Sequence, residues 1–418
     1  MSAPARGVRP RRTRASGPAI SARRLRGVRD AVQDWFRDNQ RDLPWRRTRD
    51  PYAILIAEAM LQQTRVETVI PYYQRFLARL PTFEALANAT PDEVTSLWAG
   101  LGYYRRAANL RACARAVVER HGGRLPRDEQ SLLALPGIGG YTAGAIRSIA
   151  FHEEAPLVDG NVIRVLSRLF RVENGLSTAK QRIWRIAEAL VRGSRPMDLN
   201  QGLMELGATT CTPRTPRCAA CPLARHCDAR RHDDALAYPS GKVATRVREM
   251  RLDLVWIERH GRVLITRRPD RGLWANLWGL PGAESEGSGE ISHDTIAARI
   301  GATLDLALEL DEELARRVHV LSHRRVEARV FRAQILVDRV REAPGEQNRE
   351  SAHWVPAAEP PARGISSLTR RLWSDVLTNA RQPRSFPLSS SSRPTRAASA
   401  PGATRTRAPA KRGRATRP

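Results

Sequence analysis

Long apolar runs are missing from this chain of 418 residues; none approaches the roughly 18 needed to cross a bilayer as a helix. No apolar segment follows the charged N-terminus, so a secretory signal is not expected. Lysine is nearly absent: Lys180, Lys242 and Lys411 are the only ones among 70 basic residues. Acids are missing from both ends. Residues 1–29 carry nine arginines and no Asp or Glu, and residues 381–418 carry nine arginines, one lysine and no Asp or Glu.

What is present is a strong positive balance, a net charge of +27 with much of it on those two ends. The ends are rich in Arg, Pro, Ser and Ala and read as disordered basic arms at 1–21 and 381–418. A basic body with basic arms suits a polyanion, most simply nucleic acid, although an arginine-biased composition also raises the charge by itself. Residues 22–230 read as helical throughout. Apolar residues recur at three- and four-residue spacing, as in Leu25, Val28, Val32, Trp35 and Phe36, and Pro- or Gly-containing turns punctuate them. Thr90-Pro91-Asp92-Glu93 reads as a helix cap with acids in the first turn. A linker at 231–248 leads to a smaller α+β domain at 249–380. In it 251–257 and 262–266 form a hairpin across His260-Gly261, 325–337 a further strand, 284–290 a loop, and 366–377 a terminal helix.

Four of the five cysteines fall within one short stretch, Cys211, Cys218, Cys221 and Cys227, spaced C-x6-C-x2-C-x5-C. Such crowding in an intracellular chain points to metal rather than to disulfides. Four thiolates suit either zinc or an iron–sulfur cluster, and His226 is an alternative ligand beside Cys227. The spacing, just after a helical domain, resembles the iron–sulfur loop of helix-hairpin-helix DNA glycosylases of the endonuclease III branch. The resemblance implies a [4Fe-4S] cluster on Cys211, Cys218, Cys221 and Cys227, with Arg214, Arg217 and Arg225 facing DNA phosphates.

Leu135-Pro136-Gly137-Ile138-Gly139-Gly140 lies between two helical stretches. Its Pro and Gly residues allow a tight turn whose amides point at the mouth of the next helix, a place for one phosphate or simply a helix connector. Asp159 follows in Val158-Asp159-Gly160-Asn161-Val162, between apolar neighbours, and reads equally as the cap of a helix over 162–170. Glu58 sits in Ala57-Glu58-Ala59-Met60-Leu61. Either it lies on a surface face or it is buried, in which case its pKa rises toward that of a neutral-pH proton donor.

Taken in order, Leu43-Pro44-Trp45, EAMLQQT, LWAGLGYYRRA, LPGIGGYTAGAI, VDGNV and the cysteine cluster resemble the A/G-specific adenine glycosylase family of the helix-hairpin-helix superfamily. The match is dense over 22–230 and thinner over 249–380. It implies an all-α helix-hairpin-helix domain (hairpin at about 131–147, cluster loop at 211–227) followed by a Nudix-like α+β domain. Glu58 would protonate adenine, Asp159 would stabilise the sugar cation, and Tyr141 and Asn161 would support them. Arg41, Leu43, Trp45 and Glu205 would line the adenine pocket, and Gln63 and Tyr103 would enter the base stack. Taken singly, Trp45 and Tyr103 also fit as core aromatics. Gly137 and Gly139 would serve the phosphate-gripping turn. Lyase relatives carry a Lys where Tyr141 stands, so a strand-nicking Schiff base is not expected.

After Gly279-Leu280-Pro281-Gly282 the chain offers Glu284, Glu286 and Glu290 without the dense acid helix that a Nudix hydrolase uses to hold Mg²⁺, so no pyrophosphohydrolase activity is expected. The segment from His319 to His323 matches the family's 8-oxoguanine-sensing loop. Ser322 and His323 would be its polar readers, and Leu321 stands where an aromatic is usual; a plain pair of strand-end histidines is the simpler alternative. The implied partner is double-stranded DNA with adenine opposite 8-oxoguanine or guanine, met by a monomer in a bacterial cytoplasm and away from membranes. Three other functions fit parts of the sequence. A bifunctional pyrimidine glycosylase/lyase is opposed by Tyr141, and a non-enzymatic metal-stapled DNA-binding protein by the pairing of Glu58 with Asp159. A Nudix hydrolase with a DNA-binding appendage is opposed by the missing acid helix.

Overall fold

The computed structural model describes residues 20–173, 178–239, 247–269, 271–287, 291–321, 323–337, 352–361 and 363–381. Ser322, Glu290, residues 240–246 of the linker and most of both basic arms lie outside the described residues. Short helices fill the first half: α1 (Ala22–Asn39), α2 (Pro51–Leu61), α3 (Val66–Arg79), α4 (Phe83–Asn88), α5 (Pro91–Trp98), α6 (Arg105–His121), α7 (Glu129–Leu133), α8 (Gly140–Ala145), α9 (Gly160–Leu169), α10 (Thr178–Val191), α11 (Pro196–Thr209) and α12 (Asp228–Arg231). Side-chain caps start many of them. Ser21, Asp50, Thr82, Thr90, Asp128 and Asp159 each accept a hydrogen bond from a backbone N–H of the first turn.

The helices bury two apolar cores. One gathers α2 to α7 around Phe76, Trp98, Met60 and Leu132. The other gathers α1, α9, α10 and α11 around Val32, Leu166, Leu190 and Leu203, with three cysteines of the 211–227 loop packed on its edge. Helix α2 lies between them, since Ile54 belongs to the second core and its neighbours to the first. A cleft therefore runs along α2, where two bodies meet that no single helix face closes.

The second half is a mixed seven-stranded sheet between helices. Its strands are β1 (Arg248–Arg259), β2 (Arg262–Arg267), β3 (Trp278–Gly279), β4 (Gly282–Glu286), β5 (Ala307–Val320), β6 (Arg324–Val337) and β7 (Ala352–Pro356), with α13 (His293–Leu304) and α14 (Ser367–Arg381). The order is β3-β2-β1-β6-β5, with β4 paired to β1 and β7 to β2. β1 runs parallel to β6, and the other pairs are antiparallel. The period of two is clear in β1. Leu252, Leu254 and Trp256 face α14 and its Trp373, while Val255 and Ile257 face α13 and its Ile296 and Ile300. Glu284 and Glu286 are not loop residues as expected but lie in β4, registered against Leu252 and Met250 of β1. Among the described residues of α13 the only acid is Asp294.

The sheet half touches the helical half at α5 and the start of α6. Trp278 Nε1 donates to both carboxylate oxygens of Asp92 (3.2 Å each), and Tyr104 Oη donates to the Ile365 carbonyl (3.3 Å). Gly144 lets α8 come close to the segment that leads into Asp159. A Cβ there would stand 2.1 Å from the Pro156 carbonyl oxygen and 3.1 Å from its carbon, both backbone atoms with nowhere to go. Gly144→Ala should therefore lower the thermal unfolding midpoint at a cost on the order of 1–3 kcal/mol, read by circular dichroism. An unchanged midpoint would show that this approach is not tight.

Candidate active site

Helix α2 opens on Pro51, capped by Asp50, and from Tyr52 to Met60 every residue is buried. Such a helix has no polar face, so the carboxyl of Glu58, 5% exposed, needs a partner inside the protein. Tyr141 of α8 supplies it, donating its hydroxyl hydrogen to Glu58 Oε2 and lying 3.7 Å from Met204 Sδ. Burial pushes the Glu58 carboxyl up to about 7. The Tyr141 hydrogen bond and the Arg46 charge pull it down, and the Asp159 charge pushes it further up.

Asp159 caps α9, as its spacing predicts, and borders the same cavity. Its Oδ1 accepts from Val162 N (2.7 Å) and its Oδ2 from Asn161 Nδ2 (2.8 Å). Burial raises the Asp159 carboxyl above its ordinary value, against the hydrogen bonds from Val162 and Asn161 and the Arg164 charge. Arg164 sets the amide the other way round, donating to Asn161 Oδ1 (2.7 Å) and to the Gly207 and Cys211 carbonyls (2.7 and 2.8 Å). In the same cavity Glu205, 1% exposed, receives Arg41 through Nε and Nη2 (2.7 and 2.9 Å) and Arg46 through Nη2 (2.7 Å). Burial alone would raise the Glu205 carboxyl, but the two guanidinium groups outweigh it and hold it below its usual range.

Eight of the expected site residues thus line one open-mouthed cavity: Arg41, Leu43, Trp45, Glu58, Tyr141, Asp159, Asn161 and Glu205. Arg46, Met204 and Gln201 line it too and were missed; in a chain so rich in arginine, nothing in the local pattern marks Arg46. Trp45 is both core and wall, edge-on to Tyr73 at 5.5 Å. Gln63 and Tyr103 lie off the cavity on two neighbouring turns. Both are exposed and both have left-handed backbone, at φ 59° and 50°. Gly137, also left-handed at φ 79°, and Gly139, the cap of α8, form the connector after α7. His323 is exposed at the β5–β6 connection, where its carbonyl accepts from Arg248 N (3.0 Å).

Cys211, Cys218, Cys221 and Cys227 line a separate, mostly apolar cavity, near enough to perturb one another's charge. Arg168 Nη1 reaches Cys211 Sγ (3.4 Å) and the Thr212 carbonyl (2.8 Å). Among the described residues no three His, Cys, Asp or Glu side chains converge closely enough to hold a single metal ion. Four cysteine side chains around one cavity are a donor set that suits an iron–sulfur cluster or a zinc ion. His226 is not a candidate ligand: its ring packs against Gly27 of α1, outside the cysteine cavity.

The raised Glu58 carboxyl has a consequence for stability. Its folded pKa lies above the unfolded value, so the penalty is absent below about pH 4.5, grows as pH rises, and is complete above about 7. Glu58→Gln should raise the thermal midpoint at pH 8, by the equivalent of roughly 3 kcal/mol at most, and leave it nearly unchanged at pH 4. A loss of stability at pH 8 would contradict the assigned burial.

Residues 56–190 match the HhH-GPD superfamily of base excision DNA repair proteins, and residues 254–375 match the NUDIX domain. The adenine DNA glycosylase of Arabidopsis thaliana is 37% identical over 351 residues, 71% of this chain and 55% of that relative, so the chain spans about half its length. That of Rattus norvegicus is 36% identical over 352 residues, 71% of this chain and 68% of the relative. Among solved structures, a thermostable thymine-DNA glycosylase shares 34% identity over 50% of this chain and 98% of its own, with a TM-score of 0.46. Identity at this level across both halves, over two thirds of a relative's length, settles membership: the chain belongs to the adenine DNA glycosylase family.

Proposed function

We propose that this protein removes adenine paired with 8-oxoguanine or guanine from double-stranded DNA, hydrolysing the N-glycosidic bond without cutting the strand. The observation that carries this reading is the Glu58 carboxyl, buried, bound by Tyr141 and titrating near 7, in the same cavity as Asp159. Adenine leaves poorly as an anion, so a proton must reach it as the bond breaks. Glu58 gives that proton to N7, and the base departs neutral. The positive charge left on the sugar meets the Asp159 carboxylate, which Val162 N and Asn161 Nδ2 hold in place. Glu58, now ionised, takes a proton from the water that adds to the sugar carbon, which restores the enzyme.

The cavity admits a base only if it leaves the duplex, at a cost of a few kcal/mol. Gln63 and Tyr103 fill the gap in the stack, and Arg41, Leu43, Trp45 and Glu205 form the pocket for the extruded base. The turn at Gly137 and Gly139 holds a phosphate beside it. Tyr141 carries no amine for a Schiff base, which supports a monofunctional enzyme. Ser322 and His323 read the 8-oxoguanine opposite, and the protein acts as a monomer. Cys211, Cys218, Cys221 and Cys227 hold a [4Fe-4S] cluster, which when bound staples the 211–227 loop and adds no hydrolytic chemistry. No described helix is long and apolar enough to cross a membrane.

Single-turnover reaction with a duplex bearing adenine opposite 8-oxoguanine tests the proposal. Strand breaks should appear only after alkali, and Glu58→Gln should slow them by at least about 100-fold. Breaks without alkali would reveal a lyase, and no breaks under either condition would refute adenine removal.

A further inference from the structure

Arg106 stands in the first turn of α6, where a cation opposes the positive end of the helix. The same guanidinium reaches across to the C-terminal end of α2, whose last turn has no basic residue of its own. Its Nη1 donates to the carbonyls of Ala59, Met60 and Gln62 (2.7, 2.8 and 2.6 Å). Its Nη2 donates to Thr64 Oγ1 (3.1 Å) and to the carbonyls of Gly102 and Leu101 (3.1 and 3.4 Å). The plane also lies over the Trp98 ring at 5.2 Å and the Tyr103 ring at 5.5 Å. Burial lowers its pKa to about 10, so it keeps its charge at neutral pH.

One guanidinium thus binds carbonyls of two turns at once. One follows the Glu58 helix and carries Gln63; the other carries Tyr103. Each of these two residues holds a left-handed backbone that a side chain adopts only when the surroundings impose it. The fork of Arg106 is the group shared by both sets of surroundings, and no single-nitrogen cation spans them.

We propose that Arg106 is a positioning residue which fixes the Gln63 and Tyr103 turns to each other and to the Glu58 helix, so that base extrusion and proton delivery share one frame. This rests on the reading that Gln63 and Tyr103 enter the base stack. The prediction concerns Arg106→Lys, which keeps the charge and loses the fork.

In the free full-length protein, hydrogen exchange should accelerate together at amides 62–64 and 101–104, with the rest of α2 to α6 unchanged. Acceleration spread over that whole half, or confined to one turn, would overturn the proposal. With DNA carrying 2-aminopurine at the target position, Arg106→Lys should reduce extrusion about 10- to 100-fold. In a Gln63→Ala/Tyr103→Ala background the same change should cost less than about twofold, because the turns it positions no longer carry wedges. An undiminished loss in that background would mark Arg106 as merely structural and overturn the proposal. If the Gln63→Ala/Tyr103→Ala protein itself extrudes the base like wild type, the wedge reading fails and takes the proposal with it. The exchange result tells that outcome apart from a failure of the clamp.

Discussion

A carboxyl group held inside a helix that has no polar face is the constraint around which the helical half is arranged. Ionised and alone, Glu58 would cost far more than the surrounding packing returns, so its environment must keep it protonated or bring it a donor. Tyr141 brings the donor from α8, and burial keeps the proton on. Asp159 sharpens this, since a second carboxylate in the same cavity resists a second negative charge. The two acids also differ in their surroundings. Asp159 accepts two N–H groups, whereas Glu58 accepts one hydroxyl, so hydrogen bonds favour the ionised form from two donors at Asp159 and from one at Glu58. Gly144 allows the close approach that carries the chain from α8 to Asp159, and α9 begins on Asp159 itself.

Other charges lining the cavity are paired with one another. Glu205 is flanked by Arg41 and Arg46, and the Arg46 charge is one of those felt at Glu58. Arg164 and Arg168, one turn apart on α9, spend their donors on the Cys211 to Pro213 backbone, so the helix that starts at Asp159 is tied to the cysteine loop by hydrogen bonds. The sheet half meets the helical half beside the Tyr103 turn. Tyr104 donates to the Ile365 carbonyl and accepts from Gly100 N (3.2 Å), so that turn is braced from the sheet side as well.

Much of the framework was legible in the sequence because it rests on local chemistry. Thr90 and Asp159 cap the helices that their spacing predicts, and the His260-Gly261 turn joins the two strands expected on either side. Other features rest on distant partners and leave no local trace. β5, Ala-Leu-Glu-Leu-Asp-Glu-Glu-Leu-Ala at its start, has no strand signature and is extended because β6 pairs along nearly its whole length. Glu284 and Glu286 looked like loop residues among Gly and Ser, yet β1 recruits them into the sheet. Within the site, Glu58 was ambiguous, since a helix apolar all round does not say which body covers it. Arg46, Arg106 and Arg164 were invisible for a different reason. Each acts on an acceptor far along the chain, and in a sequence with so many arginines neither residue type nor neighbours distinguishes them.

The central claim is that a proton held on Glu58 near neutral pH breaks the glycosidic bond. The single-turnover rate constant for adenine release from saturated protein–DNA complex, followed from about pH 6 to 9, tests it most directly. The account predicts a rate that falls about tenfold per pH unit once the pH exceeds about 7, with the residual rate of Glu58→Gln showing no such fall. A wild-type rate that stays flat across that range, or rises with pH, would contradict it.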